Sequence, residues 1–151
     1  MKKIFKNLML GILATTVLYS CNEKPKKMQN DSNKLAEIDP MRDKGIGPIT
    51  HININEGIDN NMVESGEELF NNMCSACHKI DKRVIGPALG GITKRRTSEW
   101  IMNMILNPDQ MVKENAQARK LLAEYISPMA NQNLTEEETR DILEYFRKID
   151  N

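Results

Sequence analysis

Two thiols separated by two residues and followed at once by an imidazole, Cys74-Ser75-Ala76-Cys77-His78, define the most specific chemistry in this chain. Cysteines at that spacing can each form a thioether to a haem vinyl group, while the adjacent histidine offers iron one axial nitrogen. Competing uses of the pair fare worse. A thioredoxin-like dithiol needs a βαβ setting that the chain lacks. Structural zinc needs four ligands, but beyond Cys21 the Cys and His residues are only His51, Cys74, Cys77 and His78. An exposed loop imidazole is the plain reading of His51.

A histidine bound to iron through one nitrogen normally donates a hydrogen bond from the other, which fixes its ring plane. Pro87 lies at a suitable separation in sequence, and its carbonyl, in a loop stiffened by the proline ring, suits that acceptor role. The remaining axial position decides function. A thioether there closes the site and raises the reduction potential, whereas an open position admits peroxide or a small gas. Ten methionines make abundance uninformative. Met73, Met102 and Met104 suit core or surface positions. Met129, in a Pro- and Asn-containing loop between helices, is favoured as ligand, with Met111 as competitor.

The elements that must position these residues are short helices. Ser65 and Glu68 have capping-box spacing, and Leu69, Phe70 and Met73 lead an apolar stripe into Cys74. A second helix is predicted over Ser98 to Leu106, ended by Asn107-Pro108, and a third over Ala116 to Ile126. The last is the clearest: Thr135 and Glu138 form a capping box, acids open the helix and Arg147 and Lys148 close it. Ile142, Tyr145, Phe146 and Ile149 are its expected buried face. Nothing reads as a strand, so the fold class is all-α. With 40% hydrophobic and 5% aromatic residues, the core is thin for its size, and a buried porphyrin would supply the missing apolar mass.

Lys2, Lys3 and Lys6 followed by an apolar stretch to Leu18 read as an export signal, residues 1–20, too short for a comfortable membrane span. Leu18-Tyr19-Ser20-Cys21 resembles a bacterial lipoprotein box, implying lipid attachment at Cys21. Residues 21–60 are polar and read largely as a flexible tether with a reach of roughly 35 Å; Gly45 to Ile49 is less polar and suits an extended arm packed on the domain at 61–151. Acidic and basic residues balance at 21 each, which gives no reason to expect a nucleic-acid partner.

Together these features resemble the bacterial class I cytochrome c family over about Val63 to Ile149. Gly66, Phe70 and Cys74 follow its first-helix spacing, and Gly86-Pro87-Ala88-Leu89-Gly90-Gly91 resembles its G-P-x-L-x-G loop. The resemblance implies the class I fold around one covalent haem c, with His78 and Met129 as axial ligands. It also implies Pro87 behind the imidazole, Leu89 against the haem, and Ile142 and Tyr145 crossing Gly66 and Phe70. Met129 precedes Leu134-Thr135 as the family's axial methionine precedes its last helix, although here Pro128 comes before the Met rather than after it. Trp100 resembles the family's pocket tryptophan, whose indole meets a propionate, and Arg95 and Arg96 are further propionate candidates.

The function so implied is one-electron transfer, without substrate conversion, outside the cytoplasm and on a membrane anchor. A quinol-oxidising complex is the expected donor, and a terminal oxidase or denitrification reductase the expected acceptor. The rivals are a haem enzyme or small-ligand sensor with a labile sixth ligand, and a cytochrome subunit fixed in a respiratory complex.

Overall fold

The computed structural model describes residues 39–151, and all regular structure among them is helical. The export signal and Cys21 lie outside the described residues. Five α-helices follow in order: α1 Asn60–Leu69, α2 Ser98–Leu106, α3 Pro108–Glu114, α4 Ala116–Tyr125 and α5 Glu136–Asp150. A π-turn over Phe70–Cys74 extends α1, and a short 3-10 turn, Ile92–Lys94, precedes α2.

Helix α1 starts earlier than its capping-box spacing predicts. Asp59 is the cap, its carboxylate accepting from the amides of Asn61 and Met62 at 2.9 and 3.3 Å, so Ser65 lies within the helix. A similar shift occurs at α2. Thr97, the residue before the predicted start, caps it, accepting from the Trp100 amide at 3.1 Å. Helix α3 falls where sequence reasoning saw only a break. Pro108 both stops α2 and supplies the first residue of α3, where its fixed φ and missing N–H are harmless. The expected capping box of α5 is present, with Thr135 and Glu138 bonded reciprocally.

The core rests on the crossing of α1 and α5. A Cβ on Gly66 would overlap the Asp141 carbonyl and the backbone beyond it, so glycine at this position is what allows the helices to close. Phe70 then packs on Tyr145 and Phe146, with ring centroids 5.6 and 5.8 Å away. Ile142, Leu143 and Phe146 are buried, whereas Ile149 is 37% exposed. The buried face of α5 thus includes Leu143 and leaves Ile149 outside it. Glu144 is buried on α5 and accepts from Arg140, Arg147 and the Asp59 amide at 2.6 to 3.1 Å, tying the start of α1 to the last helix.

Residues 43–50 pack on this body, as expected of an arm at Gly45 to Ile49, and the docked stretch also takes in Asp43. Asn103 of α2 accepts from the Ile49 amide and donates to the carbonyls of Lys44 and Ile49, all within 3.0 Å. Ile49 is buried in the core. Folded structure therefore begins well before residue 61.

Candidate functional site

At the end of α1 the backbone widens. The Ser75 amide bonds to the Phe70 carbonyl at 3.0 Å, five residues back, which is π geometry, a form often found at functional sites. The amides of Cys77 and His78 then both return to the Cys74 carbonyl, at 3.1 and 2.9 Å. Both thiols are unpaired, Cys74 half-buried and Cys77 exposed. Burial pushes the Cys74 thiol up to about 11, with the neighbouring Cys77 adding to the shift. No cluster of three or more His, Cys, Asp or Glu side chains suited to a metal ion occurs among the described residues.

His78 Nδ1 lies 3.0 Å from the Pro87 carbonyl oxygen. That oxygen can only accept, so Nδ1 carries the proton and Nε2 keeps its lone pair for a metal. The supporting loop is tightly held: Gly86 N donates to Cys77 O at 2.9 Å, Leu89 N to Lys79 O at 3.0 Å and Gly90 N to Ile80 O at 2.8 Å. A Cβ at Gly86 would run into the imidazole. Glycine is thus what lets the loop lie flat behind the ring.

Cys74, Cys77, His78, Pro87, Leu89, Arg95, Arg96, Trp100 and Met129 all line one cavity of about 610 Å³. Its other walls are largely aliphatic and aromatic, including Ile101, Ile105, Leu121, Ile142 and Phe146. A flat apolar macrocycle suits such a space, provided that its few polar groups find partners. Arg96 offers one, because its Nε is buried without a hydrogen-bond partner. Arg95 is less free, donating to the carbonyls of Gly90 and Ala88 at 2.6 and 3.3 Å.

The Trp100 ring is buried in the cavity wall, and its Nε1 faces the Asn115 side-chain oxygen at 3.4 Å. Arg96 lies over that ring, 5.0 Å from its centroid. Burial, then Arg95, lowers the Arg96 pKa, while Asp43 acts against that trend.

The two candidate methionines separate. Met111 is completely buried on α3, is not in the cavity wall, and its Sδ accepts from the Ile46 amide at 3.0 Å. Half-buried Met129 lines the cavity from the α4–α5 loop. Met73 and Met104 reach the same cavity, the first beside Cys74 and the second from within α2. Sequence reasoning missed Asp43, Asn115 and Arg83. The Arg83 guanidinium stacks 4.2 Å from the Tyr125 ring centroid. Only Asn115, just before the start of a periodic segment, carried a local signal, that of an N-cap.

The cytochrome c family model matches residues 63–150. The chain belongs to the cytochrome c family. Its described residues resemble the cytochrome c of Rhodothermus marinus, with a TM-score of 0.68 and 43% identity over 69% of this chain and 90% of that one. The cytochrome c domain of a Pseudomonas putida protein gives a TM-score of 0.51 and 30% identity, over 55% of this chain and 85% of that one. A shorter likeness joins it to the c-type cytochrome cy of Rhodobacter capsulatus, 53% identical over 36 residues, which span 23% of this chain and 18% of that relative. The fold is therefore that of a class I cytochrome c, the cofactor is one covalently bound haem c, and the general role is that of an electron-transfer haem protein. Proteins of this type are typically extracytoplasmic. No helix of the described residues is long and apolar enough to cross a membrane.

Proposed function

We propose that this cytochrome is a membrane-tethered carrier that passes single electrons between redox proteins outside the cytoplasm, with His78 and Met129 as its axial ligands. The observation that carries the reading is the shared cavity: His78, with Nε2 left free by the Pro87 contact, and Met129 both line it. The bound haem supplies a one-electron iron couple. The protein does the rest. Cys74 and Cys77 would hold the macrocycle through thioethers, Pro87 orients the imidazole, Met129 Sδ would supply the second iron ligand, and the apolar wall would keep bulk water away. One electron enters from a reduced partner and one leaves to an oxidised partner, with no atoms transferred.

A quinol-oxidising complex suits the donor role, and a terminal oxidase or a denitrification reductase the acceptor role. Attachment at Cys21 through lipid would keep the carrier near such partners. Multiple acyl chains at that residue would hold it stably, where a single chain would be marginal. Cys21→Ser should release the protein from membranes, and retention of that variant would instead indicate an uncleaved anchor.

The spectrum tests the ligand set. Oxidised protein should show the red-region iron–thioether band, and reduced protein should bind carbon monoxide slowly. A second reading, a small-ligand site with a labile Met129, draws on the backbone beside that loop. Ile126, a β-branched residue, has a φ of 59°, a left-handed conformation strained for its type. Rapid carbon monoxide binding with no red-region band would favour it.

A further inference from the structure

Residues 43–50 precede the part of the chain that matches the family model, yet they contribute a buried carboxylate behind the cavity wall. Asp43 is 7% exposed. Its oxygens accept from Asn115 Nδ2 at 2.9 and 2.8 Å and from the Gly45 amide at 2.8 Å. The orientation of Asn115 is set independently. Its Oδ1 must accept from the Ala118 amide at 2.9 Å, capping α4, and it also faces Trp100 Nε1 at 3.4 Å. Its Nδ2 therefore has to find an acceptor, and an ionised carboxylate is acceptor-only. The result is a line from Asp43 through Asn115 to Trp100, whose ring forms part of the cavity wall and lies beneath Arg96.

We propose that Asp43 is a positioning residue that lowers the reduction potential of the haem site, acting through Asn115 and Trp100. The sign follows from charge. The oxidised site carries one more positive charge than the reduced site, and a buried negative charge screened by few solvent dipoles favours the more positive form. Neutralising Asp43 also leaves the cationic Arg96 with less compensation. The docked arm is thus part of the redox site and not only a connection to the N-terminus. This inference rests on the electron-carrier reading with Met129 as ligand.

The test uses full-length holoprotein with Asp43→Asn and with the double variant Asp43→Asn/Asn115→Asp. The single variant removes the charge. The double variant keeps the donor and acceptor pairing in reverse and moves the charge one hydrogen bond closer to the indole. In Asp43→Asn the oxidised-to-reduced ratio at fixed ambient potential should fall two- to tenfold, the upper end being a rise of 59 mV for a one-electron couple. The red-region band should remain. The double variant should have a potential below the parent's. A single variant that changes only the unfolding midpoint, or a double variant at or above the parent's potential, overturns the proposal. Should the single variant fail to fold, the double variant decides alone. Absence of the thioether band in the parent would overturn the carrier reading, and this proposal with it, whereas an intact band with unmoved potentials overturns this proposal alone.

Discussion

The loop behind His78 and the loop carrying Met129 flank the same cavity but are built very differently. Residues 77–91 are fastened at nearly every step: Gly86 to Cys77, His78 to Pro87, Leu89 to Lys79, Gly90 to Ile80 and to Arg95, and Gly91 N to the buried Asp150 carboxylate at 2.6 Å. From 126 to 134 the loop is tied to the body through Asn131 Nδ2, which donates to Leu106 O at 3.2 Å. The bond from Asn133 N to Asn131 is local, and Ile126 and Asn133 both have positive φ. One proposed ligand, His78, is therefore held by a closely bonded frame, while the other, Met129, is offered by a loop with a strained residue at its start. The first gives a stable attachment; the second is where potential and access can be adjusted.

The largest effect should come from breaking the rigid side. His78→Ala is expected to cut the yield of haem-loaded protein at least tenfold, read by covalent haem staining against total protein. Gly86→Ala should act in the same direction through overlap with the imidazole, at about 1–3 kcal/mol of overpacking. Next comes Met129→Ala, which should abolish the red-region band and lower the potential by on the order of 59 mV or more, while Met104→Ala and Met111→Ala retain the band. If Met104→Ala alone removes it, the Met129 loop is not the ligand donor and the contrast collapses.

Smaller effects sharpen the comparison. Ile126→Asn places a residue that tolerates left-handed backbone at that position and should stabilise the protein by about 0.5–1 kcal/mol, since strained φ values cost on the order of 1–3 kcal/mol. Guanidinium unfolding followed by the fluorescence of Trp100, the single tryptophan, measures it. Acid should act away from both loops. Burial alone would raise the Glu144 pKa, but hydrogen bonds from Arg140, Arg147 and the Asp59 amide outweigh it and hold the carboxyl below its ordinary value. On acidification the unfolded chain then takes up the proton first. The stabilisation is full above the unfolded value of about 4.3 and is lost as pH falls through the lower folded value. Glu144→Gln should flatten that part of the stability–pH profile.

How far these features could be read from sequence depends on whether their causes are local. Cys74 to His78, the Gly86-Pro87 loop and the Thr135–Glu138 cap are set by neighbouring residues, and each could be read directly. The need for Gly66 was also legible through the family spacing. Loop position and the family pattern favoured Met129 over Met111 in the sequence, but only packing shows that the Met111 sulfur is committed to the Ile46 amide. Asp43 was invisible for the same reason. Its partner is 72 residues away, and an acidic residue in a polar segment looks like solvated chain until the arm is seen to dock. Helix α3 was hidden because Pro108 serves as both stop and start.

The most direct test of the central claim is the red-region absorption of oxidised holoprotein compared with its Met129→Ala variant. The account predicts a band in the parent that is absent from the variant, with carbon monoxide binding to the reduced protein becoming fast only in the variant. A parent without the band, or a variant that keeps it, would contradict the assignment of Met129 as the ligand that closes the site.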